Sequence, residues 1–110
     1  MFEGFWLVQY EGMRGNGGGV ITLIKGSVFG GDSQATYIGT YESTATQFSG
    51  MVRIHNYIPG VASIIGVDGD YNLRISGTLE GNRIRGTGVP VGMQVAGLAF
   101  QMTKLADVPV

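Results

Sequence analysis

Polar and apolar residues alternate along most of this chain, as expected for β-strands that bury one face. The alternation is clearest over residues 71–80, where apolar residues or glycine occupy every second position. A two-residue turn at Gly81-Asn82 then places Glu80 opposite Arg83, so that opposite charges pair on the outer face. The pattern therefore predicts a β-hairpin over residues 71–88.

The same period predicts six further strands, at residues 2–10, 20–25, 28–30, 35–43, 48–57 and 93–105. A type II′ turn is predicted at Gly26-Ser27, because glycine favours the first position of that turn. Only residues 58–70 form a long connection. There Val61, Ile64 and Ile65 have the i, i+3, i+4 spacing of a helix, which allows one short helical turn near residues 60–66.

Eight strands with short connections leave no room for the crossover helices that a parallel sheet requires. We therefore predict an all-β fold, an eight-stranded antiparallel up-and-down barrel formed by one domain, residues 1–110. A two-sheet sandwich is the structural alternative. The 20 glycines fit a barrel, since closure needs turns, sharp bends and positions without a side chain beside large rings.

Composition narrows the classes of function. With 44% hydrophobic residues, 14% charged residues and a net charge of −1, the chain is typical of a globular protein and lacks the excess of Lys and Arg that nucleic-acid binding needs. The absence of cysteine excludes disulfides and thiolate sites. The start has no basic signal-peptide region, and the longest apolar run is about half a membrane helix. We expect a cytoplasmic protein that binds neither nucleic acid nor membranes.

The chain offers few groups for catalysis or cofactor binding. His55, the only histidine, alternates with Arg53 and is predicted to lie on the surface. The glycine-rich run at residues 15–19 precedes a predicted strand rather than a helix, which favours a hairpin loop over a phosphate loop. The segment Asp68-Gly69-Asp70 is not followed by the glycine and glutamate of a calcium loop. We therefore expect no enzyme, no catalytic residue, no metal ion and no cofactor.

The first, second and last predicted strands carry apolar residues on both faces. Closure of the barrel would make these strands neighbours, so their outer faces would form one apolar patch. We therefore predict a homodimer, the commonest symmetric oligomer. Its predicted interface consists of Phe5, Leu7, Ile21 and Leu23, with Val95 and Ala99 at the margin. The alternative is that an error of one residue in the register of one strand creates an apparent patch.

The inward-facing residues predict a further function, a carrier or sensor that holds a small apolar ligand inside the barrel. The predicted lining is Trp6, Tyr37, Tyr41, Phe48, Val52, Leu73, Ile75, Leu98 and Phe100. Val61, Ile64 and Ile65 could form a lid. The alternative is that these side chains fill the core and leave no cavity.

Gly4-Phe5-Trp6 in the first strand and Lys104 in the last resemble the G-x-W pattern of lipocalin-type barrels. This resemblance implies that Trp6 closes the floor of the barrel. It also implies that Lys104 packs across the indole ring as a cation–π pair.

A more specific resemblance rests on residues 19–25, Gly30-Gly31-Asp32, Tyr37-Ile38-Gly39, Ile58-Pro59 and Asp70-Tyr71-Asn72-Leu73. These segments follow one another as in the GrlR-like family, negative regulators of type III secretion genes in enteric bacteria. The resemblance spans about residues 4–105. It implies a dimeric, eight-stranded, lipocalin-like barrel that represses transcription by binding an activator protein.

One feature of that family is missing. The family's regulator presents four consecutive acidic residues to its partner, whereas the matching stretch here, Glu42-Ser43-Thr44-Ala45-Thr46, contains one. The resemblance therefore leads us to expect a non-enzymatic regulatory protein that acts as a dimer by protein–protein interaction, with an unidentified partner and with a partner or task that differs from the family's own.

Overall fold

The computed structural model describes residues 2–60, 63–67 and 69–108. They form eight strands: β1 (Gly4–Gly12), β2 (Gly15–Ile24), β3 (Ser27–Gly31), β4 (Ala35–Ser43), β5 (Gln47–Asn56), β6 (Tyr71–Glu80), β7 (Arg83–Pro90) and β8 (Leu98–Ala106). Each strand pairs antiparallel with the next, and β8 pairs with β1, so the sheet closes on itself. The predicted all-β, eight-stranded antiparallel barrel is confirmed.

The long connection between β5 and β6 contains no helix in its described residues. Residues 63–67 form a turn, in which the amide of Gly66 donates to the carbonyl oxygen of Ser63 at 2.9 Å. Gly66 has a φ of +81°, which lies outside the right-handed helical region and ends the turn. The helical turn predicted near residues 60–66 is therefore wrong for this part, and Val61 lies outside the described residues.

The β6–β7 hairpin has the predicted register. Glu80 lies opposite Arg83, and Gly81 has a φ of +63°, as a tight two-residue hairpin turn requires. On the inner face Ile84 is fully buried. The sequence around the turn is enough to predict this register, because a two-residue turn fixes every residue pair that follows it.

The β2–β3 turn lies one residue earlier than predicted. Ile24 pairs with Ser27, so Lys25 and Gly26 form the turn. Their φ values, 49° and 78°, are both positive, which is the combination of a type I′ turn. The predicted type II′ turn at Gly26-Ser27 is wrong, because Ser27 already belongs to β3.

The β1–β2 hairpin turns at Met13-Arg14, before the glycine-rich run. Residues 15–19, predicted as a loop, are instead the first half of β2. Glycine is needed in this strand because large side chains lie against it. A Cβ at Gly17 would lie 2.8 Å from Cε1 of Tyr10, closer than two carbon atoms can approach.

This register also reverses the predicted placement of Ile21 and Leu23. Ile21 lies directly opposite Trp6, and opposed residues in antiparallel strands project to the same face. Ile21 is therefore only 8% exposed, and Leu23 is fully buried. Both residues belong to the core, so their prediction as dimer-interface residues is wrong.

The other predicted interface residues do not form one patch either. Phe5 and Leu7 are exposed on β1 as predicted. Val95 lies in the β7–β8 connection, because β8 begins at Leu98 rather than at residue 93. Ala99 is exposed but lies opposite Glu11, at the far end of β1 from Phe5.

Candidate functional site

One end of the barrel, which we call the closed end, is formed by Phe2, Trp6 and Lys104. Trp6 is fully buried, and its Nε1 donates to the carbonyl oxygen of Phe2 at 2.9 Å. The Nζ atom of Lys104 lies 5.6 Å from the centre of the indole ring, within the range of a cation–π contact. The ring of Phe2 packs on Phe48 with centroids 5.4 Å apart. The closed end therefore has the arrangement that the G-x-W resemblance implies.

The glycine of this motif has a local reason. A Cβ at Gly4 would overlap Cε of Lys104, so glycine lets the lysine stem cross the end of β1. A register shift between Phe5 and Trp6 aligns Trp6 with Lys104 on β8. Such a bulge re-aims the side chains beside it, and here it contributes to the contact between Lys104 and Trp6.

Inside the barrel, next to the closed end, lies a cavity of about 110 Å³. Seven of the nine predicted lining residues line it, namely Tyr37, Phe48, Val52, Leu73, Ile75, Leu98 and Phe100. The other two, Trp6 and Tyr41, are buried but do not line it, because Trp6 belongs to the closed end and the ring of Tyr41 packs on Phe48. The side chains of the core therefore leave part of the interior unfilled.

The polar residues that line the cavity gather at the opposite end from Trp6, which we call the polar end. Apart from Tyr37 they are Tyr10, Asp32, Gln34, Asn56, Ser63 and Tyr71. None of these six was predicted as a lining residue. They come from strand ends and connections that face one another only when the barrel closes.

Asp32 is the centre of the polar end. Its Oδ2 atom accepts hydrogen bonds from the phenols of Tyr10 and Tyr37. Its Oδ1 atom accepts from the backbone amides of Gln34 at 2.7 Å and Ala35 at 2.8 Å. A carboxylate has about four acceptor positions, so these four donors occupy them.

The local sequence explains this geometry. Asp32 follows β3 in the turn to β4, where an aspartate side chain commonly binds backbone amides two and three residues ahead. Tyr10 and Tyr37 reach the same carboxylate from β1 and β4. Gly19 makes room for Tyr37 on β2, since a Cβ there would lie 3.0 Å from Oη of Tyr37 and 2.5 Å from the carbonyl oxygen of Gly31.

Burial and hydrogen bonding shift the pKa values of these groups. Burial acts to raise the pKa of Asp32, but the hydrogen bonds from Tyr10, Tyr37 and the two amides outweigh it, so the pKa lies below the ordinary 3.8. Burial, followed by the bond to Asp32, raises the pKa of Tyr10 to about 12 and that of Tyr37 further still. At neutral pH the cluster therefore consists of one carboxylate and two protonated phenols.

Residues 63–67 of the β5–β6 connection cover the polar end. The carbonyl oxygen of Ile64, which lines the cavity, accepts from the amide of Arg14 at 2.9 Å. The hydroxyl oxygen of Ser63 accepts from the amide of Val67 at 3.2 Å, and Ile65 is buried. Of the predicted lid residues, Ile64 lines the cavity, whereas Ile65 is buried without lining it, and Val61 lies outside the described residues.

A second charged group lies outside the barrel. Oδ2 of Asp70 lies 2.9 Å from Nδ1 of His55 and 3.3 Å from Arg53, and the hydrogen bond with His55 contributes most to lowering the pKa of Asp70. His55 is exposed, as predicted. Over residues 2–60, 63–67 and 69–108, no group of three His, Cys, Asp or Glu side chains could hold a metal ion.

An exposed apolar stripe crosses the outer faces of β1 to β4. It consists of Phe5, Leu7, Val20, Phe29 and Ile38. Leu7 pairs with Val20 and Phe29 with Ile38, and Phe29 and Ile38 are 50% and 57% exposed. Solvent-exposed apolar side chains that adjoin one another are typical of contact surfaces. The stripe shares only Phe5 and Leu7 with the predicted interface.

No model of a known protein family matches this chain, and no curated protein matches it. In the part of the chain that the structure describes, no helix is both long and apolar enough to cross a bilayer.

One feature of the sequence could have indicated the polar end. Tyr10 and Tyr37 sit at inward positions, and a buried phenol needs a hydrogen-bond partner.

Proposed function

We propose that this protein binds a small, mainly apolar molecule inside its barrel and catalyses no reaction. The observation that carries the proposal is the cavity of about 110 Å³, whose walls are mainly apolar and whose polar groups gather at one end. Binding sites for small molecules typically combine an apolar wall with a few polar groups that orient the ligand. An engineered apolar cavity of ~150 Å³ in another protein binds benzene, so this cavity suits a single ring or a short chain.

The test replaces one lining residue by a larger one whose side chain fills the cavity. Leu98 lines the cavity and is half-buried, so Leu98→Trp should occupy ligand space. The next residue on β8, Ala99, points outward, and Ala99→Trp is the matched control. Toluene is expected to raise the Tm of the wild type and of Ala99→Trp, because a ligand that binds only the folded state stabilises it. Leu98→Trp should show no such rise.

Native mass spectrometry of protein purified without detergent gives an independent measurement. An adduct of small mass on the wild type and its absence from Leu98→Trp would support the proposal. If toluene leaves the Tm of all three proteins unchanged and the wild type carries no adduct, the cavity does not bind ligands of this class.

A second candidate function is protein binding by a homodimer, and the apolar stripe on β1 to β4 favours it. A dimer through this stripe would bury Phe29 and Ile38 against their counterparts, which a two-fold axis permits without further partners. The regulatory role that the GrlR-like resemblance implies would then use the remaining surface for an activator protein.

Sedimentation at increasing concentration tests this second function. A dimer should have twice the 11.6 kDa mass of the chain, and Phe29→Lys should shift it to the monomer by placing a charge in the stripe. Val89 on β7 is equally exposed, at 52% against 50%, but lies outside the stripe, so Val89→Lys should leave the dimer intact. A wild type that stays monomeric at high micromolar concentration would contradict the proposal.

A further inference from the structure

The charge at the polar end of the cavity is unbalanced. Among the residues that the structure describes, Asp32 is the only charged residue that lines the cavity. The ion pairs found in that part of the chain involve Asp70 and Asp107 and none involves Asp32. A partly buried carboxylate without a cation creates a negative potential at one end of an apolar space.

We infer that the cavity selects a small apolar amine, bound as its ammonium ion with the nitrogen at the polar end. This inference rests on the proposed ligand-binding function and adds the chemical class of the ligand. Its basis is the juxtaposition of Asp32 with the phenols of Tyr10 and Tyr37 at the end of a space whose walls are otherwise apolar.

The hydrogen-bond inventory favours a ligand that donates. Each phenol has one proton, and both protons are directed to the carboxylate of Asp32, which is the stronger acceptor. The lone pairs of the two phenol oxygens remain as acceptors. These oxygens lie 3.5 Å apart, so one nitrogen can contact both. An ammonium group, which only donates, matches such a pair of acceptors.

The aromatic rings of the lining also favour a cationic ligand. Tyr10, Tyr37 and Tyr71 all line the cavity, and the pKa of Tyr71 is raised mainly by burial and further by the charge of Asp32. The faces of tyrosine rings attract cations, most strongly where water is excluded. A carboxylate ligand would instead meet Asp32 and have no cationic side chain in the described lining to bind it.

The experiment compares four probes that share a ring and differ in the group attached to it. Benzylamine, benzyl alcohol, toluene and benzoate are titrated into the wild type at neutral pH by calorimetry. Benzylamine is expected to bind about tenfold or more tightly than toluene, because hydrogen bonds and ionic attraction to a charged group are worth over ~1.4 kcal/mol. Benzoate should bind most weakly.

Each outcome has a separate meaning. If toluene binds and benzylamine binds no more tightly than benzyl alcohol or benzoate, the inference about charge is overturned while the proposed function stands. If none of the four probes binds, the proposed function itself fails.

Two variants locate the selectivity. Asp32→Asn removes the charge and should reduce the preference for benzylamine over toluene to within about twofold. Tyr10→Phe removes one phenol oxygen but keeps the ring and the charge, so it should lower that preference only in part. Toluene binding by each variant shows that the cavity is intact, and Tyr10→Phe carries the test if Asp32→Asn does not fold. Full retention of the preference in both variants would contradict the assignment to this site.

Discussion

The two ends of the barrel are built on opposite principles. At the closed end, Trp6 is fully buried, its one polar atom is bonded to Phe2, and Lys104 lies across its ring. At the polar end, Asp32 is only half-buried and holds Tyr10 and Tyr37 beside a cavity. One end is filled by side chains, whereas the other leaves space and keeps polar groups inside.

This difference separates stability from function. Filled apolar packing stabilises a fold in proportion to the surface and volume that it removes from water. A cavity and partly buried polar groups weaken the same fold unless a ligand uses them. We therefore expect substitutions at the closed end to reduce stability most, and substitutions at the polar end to change binding more than stability.

The largest effect is expected at Trp6. Trp6→Ala should lower the free energy of unfolding by about 3–5 kcal/mol, because it leaves a large cavity and an unpartnered carbonyl oxygen at Phe2. Denaturant unfolding followed by circular dichroism measures the change. Phe5→Ala, one residue away on the outer face, is the control and should cost less than about 1 kcal/mol. Equal losses would break the distinction between inner and outer faces.

The next effect concerns the space that glycine provides for the polar end. Gly19→Ala should cost about 1–3 kcal/mol, because its methyl group would lie 2.5 Å from the carbonyl oxygen of Gly31 and 3.0 Å from Oη of Tyr37. Gly18→Ala is the control, since its nearest atom is the carbonyl oxygen of Val8 at 3.1 Å, and it should cost less. The same denaturant measurement applies, and a smaller loss for Gly19→Ala than for Gly18→Ala would argue against the crowding at Tyr37.

A smaller effect, dependent on pH, is expected at Asp32. The folded state lowers its pKa below 3.8, so the stabilisation is present above that pH and is lost as the pH falls through the lowered value. Asp32→Asn should therefore cost about 1 kcal/mol at neutral pH, a modest value because the group is partly exposed. Unfolding curves from pH 7 to pH 2 should show the wild type and the variant converging in acid. A difference that does not depend on pH would contradict the assigned cause.

The smallest effect is expected at Lys104. Lys104→Met keeps most of the packing but removes the cation over Trp6, which should cost about 0.5–1 kcal/mol. The ion pair of Lys104 with Asp107, at 3.0 Å, is exposed on the Asp107 side, so Asp107→Asn serves as the control. Thermal unfolding at low and high salt compares them. If both variants lose the same stability, the ion pair rather than the indole ring explains the contribution of Lys104.

Much of the fold could be predicted because its signals are local. The β6–β7 hairpin followed from alternation and one turn, and the inward faces of β4, β5 and β6 followed from period alone. The pairing of Trp6 with Lys104 came instead from a motif. The prediction failed where turn position was ambiguous, at Gly26-Ser27 and in the glycine-rich run, because a shift of one residue exchanges the two faces of a strand.

The site was predicted only in part, for a different reason. The apolar walls belong to regular strands, so their period identified them. Asp32, by contrast, lies in a turn, and nothing in its neighbourhood indicates that Tyr10 and Tyr37 bind it. Tyr10 lies 22 residues before Asp32 in the chain, and Tyr37 lies on the strand that follows the turn of Asp32. The three side chains therefore meet only in the folded barrel.

The sequence by itself determined that this chain forms an antiparallel all-β fold, since its period and its short turns leave no room for crossover helices. The pairing of β8 with β1 decided that the sheet closes into a barrel and does not form a two-sheet sandwich. It also determined which side of most strands faces inward. Only the tertiary structure decided that Ile21 and Leu23 belong to the core, that the interior keeps a cavity, and that one carboxylate stands at its end. The physical reason is that period and turn residues act between neighbours, whereas space and charge inside a barrel depend on side chains that meet only when the sheet closes.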